Sequence, residues 1–134
     1  MKPVFVDANL FLRFFTRDDE THHRKAVSFF KRVSAGQIQA LTGPPVLFEV
    51  AWTLRSAYHQ PPEKVLEVLG AILSLPGLKM TDTHLVSQAL DLARNSGIEF
   101  ADAYIAASAA EAGAVVGTFN RRHFEHLNLE LYPL

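Results

Sequence analysis

Four polar side chains in this 134-residue sequence interrupt or follow apolar segments that are expected to form the hydrophobic core. Asp7 directly follows a short apolar run, and Glu49 is the only charged residue in an otherwise apolar stretch from 43 to 54. Asp102 lies among small apolar residues, and Asn120 follows a second apolar run. Carboxylate and amide oxygens brought together in one pocket would favour a hard cation such as Mg²⁺ or Mn²⁺.

An ion in such a pocket would orient and acidify an attacking water and neutralise charge that develops on a phosphate. Mutual repulsion between the carboxylates keeps the pocket unfavourable until a cation fills it. The sequence has no cysteine, which excludes a thiolate site and suits a reducing cytoplasm. His123 and His126 form an H-x-x-H pair, but no other suitable ligand lies nearby in sequence, so zinc is not predicted.

Each of the four residues also has a simpler structural interpretation. Asp7 would cap the helix that follows it, and Asp102 would gain from the dipole at a helix N-terminus. Glu49 lies on an apolar helix that is expected to be largely buried, where a carboxylate would need a metal or another partner. Its simpler interpretation is a salt bridge to an arginine, or a narrow exposed stripe that it shares with Thr53. Asn120 would simply be a turn residue. Glu49 by itself favours the functional interpretation, whereas the other three residues favour it only as part of the set.

Strand-like segments that alternate with helical ones predict an α/β protein, a three-layer α/β/α sandwich around a short central parallel sheet. Ligands in such sheets lie beyond the carboxyl ends of strands, which directs attention to Asp7 and to 118–120. Strands are predicted at 3–6 and 114–118, and weaker ones at 37–41, 78–80 and 129–132. Helices are predicted over 8–17, from the 18–21 break to about 33, from 43–45 to about 58, between 60–62 and 76–77, between 81–83 and 95–97, and over 100–112.

Composition and length are those of one ordinary globular domain, expected to span 1–134. Hydrophobic residues make up 49% and charged residues 20%, which argues against a disordered chain. No apolar run approaches the roughly 18 residues that a membrane span needs, and no signal peptide is recognisable, so a cytoplasmic protein is expected. The net charge of −1 does not by itself indicate a nucleic-acid binder.

Four ordered segments together resemble the PIN domain, and most of all its VapC-type toxin branch. The resemblance covers essentially the whole chain, and its pieces are specific as an ordered set rather than singly. They are Val6-Asp7-Ala8-Asn9 with Arg13, Val46-Leu47-Phe48-Glu49-Val50, Phe100-Ala101-Asp102-Ala103-Tyr104-Ile105-Ala106-Ala107, and Thr118-Phe119-Asn120.

The resemblance implies an α/β/α fold and Mg²⁺- or Mn²⁺-dependent endonucleolytic cleavage of RNA. It also implies a homodimer whose toxicity a cognate antitoxin protein restrains. Asp7, Glu49 and Asp102 match the first three acids of the family, as metal ligands and catalytic residues. Asn120 stands where a fourth residue, aspartate, is common; its amide can still orient water but brings no charge, which leaves open whether one or two ions bind.

Three further residues are candidates for substrate binding. Asn9 and Arg13 share a helix face, and Thr118 could donate a hydrogen bond into the same cleft. The main alternative is a catalytically weak or inactive PIN-like domain that binds RNA or a partner, motivated by Asn120. A phosphorelay receiver domain is the less favoured rival, because Arg121 stands where that fold would want a lysine.

Overall fold

The computed structural model describes residues 2–134, which form two compact units that meet in sequence between Asp82 and Thr83. The N-terminal unit contains the sheet and four helices. Its strands are β1 Val4–Phe5, β2 Ala40–Thr42 and β3 Leu78–Met80. Its helices are α1 Ala8–Phe15, α2 Glu20–Ser34, α3 Pro44–Ser56 and α4 Pro62–Leu73.

The three strands form one parallel sheet in the order β1-β2-β3. Val4 aligns with Ala40, and Ala40 with Leu78. Each connection between neighbouring strands carries two helices, as parallel pairing requires a crossover rather than a hairpin. All three strands therefore end at the same edge of the sheet, and Asp7 lies just beyond the first of them.

Hydrogen bonds fix that edge of the sheet. The Val6 amide donates to the Leu41 carbonyl at 2.8 Å, and the Thr81 amide donates to the Thr42 carbonyl at 2.9 Å. The hydroxyl of Thr42, a fully buried residue, donates to the Val6 carbonyl at 2.9 Å. Since a buried polar group is costly without a partner, this bond holds the backbone immediately before Asp7.

Apolar side chains with helical spacing, on the inner faces of the helices, form the core of the N-terminal unit. Phe11 of α1 is fully buried and stacks on Phe30 of α2, with ring centroids 5.5 Å apart. Leu47 of α3, with Leu69 and Ile72 of α4, is equally inaccessible. The apolar segment 65–73 of α4 thus contributes mainly to the core.

The C-terminal unit consists of α5 Thr83–Ser96, α6 Phe100–Ala112 and a short 3₁₀ turn at Arg121–His123. Helices α5 and α6 pack on each other through small residues such as Ala89 and Ala103, both fully buried. Gly113 ends α6 in the left-handed conformation, φ 64°, which glycine adopts without a steric penalty. Beyond it, Val116, Phe124 and Leu127 gather with Ala106 in one buried cluster.

The α/β class and the short parallel sheet flanked by helices are confirmed, but two predicted strands are wrong. Segments 114–118 and 129–132 meet only at an isolated parallel bridge between Val116 and Leu131. In the first segment Val116 is buried, whereas Val115 is 43% exposed, so the run lacks the second covered face of a central strand. Phe5 of β1 is likewise 57% exposed rather than covered on both faces.

Among the described residues, no helix combines the length and apolarity that crossing a membrane requires. The expectation of a single domain over 1–134 stays a prediction.

We expect Thr42→Val to lower the free energy of unfolding by about 1 kcal/mol, because the Val6 carbonyl loses its buried donor while side-chain volume is kept. Urea denaturation followed by circular dichroism measures the change. Thr21→Val, at an exposed threonine of α2, is the control and should change the stability much less. Equal effects of the two substitutions would show that the Thr42 hydrogen bond does not stabilise the sheet edge.

Candidate functional site

Asp7 lies exposed at the carboxyl end of β1 and is the N-cap of α1. Its Oδ1 atom accepts a hydrogen bond from the Ala8 amide at 2.8 Å. The capping interpretation of Asp7 is therefore confirmed, and it leaves the second carboxylate oxygen accessible. Within residues 2–134, no cation pairs with this carboxylate.

Asn9 and Arg13 of α1 border a cavity of about 320 Å³ in the N-terminal unit. Thr53 of α3 and Tyr58 just beyond that helix line the opposite side. The two predicted substrate-binding residues of this unit thus face one concave surface. The complete lining is Asn9, Leu12, Arg13, Asp18, Thr53, Ala57 and Tyr58.

Arg13 is held in place by Asp18 in the same cavity. One guanidinium nitrogen of Arg13 lies 3.2 Å from Oδ1 of Asp18, and the Arg13 side chain is 27% exposed. The Tyr58 hydroxyl donates to Oδ2 of Asp18 at 2.8 Å, and the Thr16 hydroxyl donates to Oδ1 at 3.0 Å. These hydrogen bonds, that of Tyr58 first, and the Arg13 charge hold the pKa of Asp18 below its ordinary value.

Glu49 is exposed, so the expectation that it is buried is wrong. Helix α3 buries the face that carries Val46, Leu47, Val50 and Leu54, and leaves a stripe uncovered that includes Glu49 and Trp52. Trp52 is 71% exposed, although its type suggests a core residue. In the part of the chain that the structure describes, Glu49 has no cationic partner.

Glu49 lies on the same side of α3 as a residue that lines the cavity. Thr53, which lines that cavity, follows Glu49 by four residues, and residues with this spacing share one face of a helix. Glu49 is therefore on the side of α3 that borders the cavity.

Asp102 lies in the first turn of α6, in the C-terminal unit, and is partly buried. Its Oδ2 atom is 3.1 Å from Nδ1 of His123. The side chain of Asp102 is 23% exposed and that of His123 54%. Because of this contact, the 3₁₀ turn lies against the N-terminal end of α6.

Thr118 and Asn120 belong to the loop that leads into the 3₁₀ turn. The backbone N–H of Asn120 donates to Oγ1 of Thr118 at 2.9 Å, so the threonine acts as an acceptor within the loop while its hydroxyl proton is free to donate elsewhere. The Asn120 side chain is exposed. Thr118, Asn120 and Asp102 are thus brought into one region of the C-terminal unit through His123.

His123 is the residue that the sequence analysis missed. It was considered only as half of an H-x-x-H zinc pair, whereas in the structure it contacts the candidate acid Asp102. His123 lies three residues after Asn120 in the same short polar segment, and this position could have marked it as a candidate site residue. His126 takes no part in the contact between His123 and Asp102.

The candidate ligands divide between the two units. Asp7 and Glu49 belong to the N-terminal unit, and Asp102 to the C-terminal unit. Among the described residues, no group of three or more histidine, cysteine, aspartate or glutamate side chains lies close enough together to hold a metal ion. The carboxylate donors of each unit suit a hard cation.

Comparison with known proteins identifies one family. The sequence model of the PIN domain matches residues 4–128. That range includes all four candidate site residues, Asp7, Glu49, Asp102 and Asn120. The search of curated proteins gave no significant match.

We expect Tyr58→Phe to raise the pKa of Asp18, because the hydrogen bond that lowers it most is lost. A depressed folded-state pKa stabilises the protein above the ordinary value of 3.8, and this stabilisation disappears as the pH falls through the folded-state pKa. In Tyr58→Phe this stabilisation should be smaller, and its loss on acidification should be complete at a higher pH. An NMR titration of the Asp18 carboxyl carbon measures this, with Tyr132→Phe as control; identical titrations of Asp18 in wild type and Tyr58→Phe would contradict it.

Proposed function

Because the chain belongs to the PIN domain family, we propose that it is an Mg²⁺- or Mn²⁺-dependent endoribonuclease, the toxin of a type II toxin–antitoxin pair. PIN domains are generally nucleases, and the observation that carries the proposal is the family match over 4–128. That match extends over both compact units and all three candidate acids.

Asp7, Glu49 and Asp102 are the proposed metal ligands. Asp7 and Glu49 are both exposed, so their carboxylates are accessible to a cation. A bound divalent cation supplies an acidified water and neutralises charge on the phosphate. Asp102 is held by His123, whose ring restricts the orientation of the carboxylate.

Asn9, Arg13 and Thr118 are the proposed substrate-binding residues. The ion pair with Asp18 restrains the Arg13 guanidinium, so less conformational entropy is lost when it binds a phosphate. The Thr118 hydroxyl keeps its proton for a phosphate oxygen while its oxygen accepts from the loop backbone. Asn120 is proposed to orient water through its amide, without adding a charge to the site.

The partners follow from the resemblance to VapC-type toxins. We propose an RNA substrate, a cognate antitoxin protein that restrains the activity, a homodimeric assembly and a cytoplasmic location. The absence of a membrane-spanning helix among residues 2–134 is compatible with this assignment.

A second candidate function is a PIN-like domain that binds RNA or a partner without cutting. Asn120 in place of an acid favours it. Calorimetric titration with Mn²⁺ and a cleavage assay on labelled RNA separate the two functions. RNA binding with neither Mn²⁺ binding nor cleavage would establish the non-catalytic alternative.

We expect Asp7→Asn and Asp102→Asn each to reduce metal-dependent RNA cleavage by about 100-fold or more, because each removes a charged metal ligand. Cleavage rates with Mg²⁺ and Mn²⁺ measure the effect, and circular dichroism checks the fold. The matched controls are Glu63→Gln in the N-terminal unit and Asp91→Asn in the C-terminal unit, two exposed acids outside the candidate site. Full activity of either site variant would count against the assignment.

We expect Asn120→Asp to preserve or increase cleavage, because the added carboxylate would help to hold a second ion. The dependence of the cleavage rate on Mn²⁺ concentration shows whether another ion binds. Asn95→Asp, at an exposed asparagine near the end of α5, adds the same charge elsewhere and is the control. A large loss of activity confined to Asn120→Asp would reveal a specific role for the amide.

A further inference from the structure

Phe119 is the most exposed large hydrophobic residue in the described part of the chain, at 90%. Burying a phenylalanine side chain stabilises a fold, and this exposed ring contributes almost none of that stabilisation. Single exposed apolar residues are common and need no explanation by themselves. Phe119 differs because it stands between the two candidate site residues Thr118 and Asn120.

The loop that carries Phe119 is anchored on both sides. Val116 before it is 6% exposed and Phe124 after it is 3% exposed, and both belong to the same buried cluster. Between them, the backbone N–H of Asn120 donates a hydrogen bond to the Thr118 side chain, and His123 contacts Asp102. The ring is therefore presented to solvent by a fixed segment.

The side chains that follow Phe119 are cationic or polar and exposed. Arg121, Arg122 and His123 succeed one another in the 3₁₀ turn, and all three are exposed. The guanidinium of Arg121 donates to the Tyr132 carbonyl at 3.3 Å. Arg122 has no such partner within residues 2–134 and is available to an anion.

A second aromatic ring lies at the same end of the C-terminal unit. The Tyr132 amide donates to the Val116 carbonyl at 2.8 Å, three residues before Phe119. The Tyr132 residue is 53% exposed. Exposed aromatic rings beside basic side chains are what proteins use to bind single-stranded nucleic acid: bases stack on the rings and phosphates pair with the cations.

We propose that Phe119 is a stacking platform for an unpaired nucleobase of the RNA substrate, with Arg122 contacting the adjacent phosphate. The inference rests on the proposed function and adds to it the side chain that holds a base. Because bases within a duplex cannot stack on a side chain, that base is unpaired. A surface for docking a protein would need a contiguous apolar patch, whereas the residues beside Phe119 in the chain are polar or cationic.

Binding of fluorescently labelled RNA tests the proposal in an Asp7→Asn background, so that the RNA is not cut. The probes are a single strand of about ten nucleotides with one 2-aminopurine, and the matching duplex. We expect Phe119→Ala to weaken binding of the single strand by about 5- to 100-fold and to abolish the 2-aminopurine quenching. Binding of the duplex should not change. Since the ring is exposed, the substitution leaves the core untouched.

Three further variants make the test specific. Phe119→Trp should retain affinity, whereas Phe119→Leu, which is apolar but has no π face, should bind as weakly as Phe119→Ala. Arg122→Ala should weaken binding and reduce its salt dependence, as loss of one phosphate contact does. Val115→Ala, at a 43% exposed apolar residue of the same unit, is the control and should bind like its parent.

Unchanged single-strand affinity in Phe119→Ala would overturn the proposal, and so would full affinity in Phe119→Leu. A change of oligomeric state with RNA affinity intact would assign the ring to a protein contact instead. The nuclease function fails separately: if wild type does not cut RNA with Mn²⁺ but Phe119→Ala still loses single-strand affinity, stacking stands and catalysis does not.

Discussion

Parallel alignment of three very short strands is the constraint on which the N-terminal unit depends. The strands have two or three residues each, so few ladder hydrogen bonds hold them together. The buried hydroxyl bond from Thr42 to the Val6 carbonyl adds a link where the first two strands end. Asp7 follows that link directly, and α1 carries Asn9 and Arg13 onward from it. The position of half of the candidate site is thus set by backbone geometry at one edge.

The sequence was sufficient for the features that depend on local pattern. Helix α6 was predicted over 100–112 and is found there, because an alanine-rich run ended by Gly113 leaves little choice of boundary. The α/β class followed from the alternation of strand-like and helical segments. The helix starts at Pro44 and Pro62 followed from the tolerance of proline in a first turn.

The sequence could not show which segment packs against each face of a helix or strand. The nearly all-apolar composition of α3 predicts a buried helix, yet Glu49 and Trp52 lie on an exposed stripe of it. The run 114–118 has strand composition, but its pairing is limited to one bridge at Val116. The contact of His123 with Asp102 depends on how a loop folds back on a helix, which no local period encodes. The candidate ligand set itself stays a hypothesis from motif order.

The two-helix crossovers also bear on how the chain folds. Residues paired across β1 and β2 are about as far apart in sequence as those paired across β2 and β3, and a large loop must close before either pair forms. By contrast, α5 and α6 are neighbours in sequence and can associate through nearby contacts. High contact order slows folding, so the sheet edge that carries Asp7 should form late, after the helical hairpin. When the complete chain refolds from the unfolded state, the C-terminal helices would then become ordered while the first strand still lacks its neighbour.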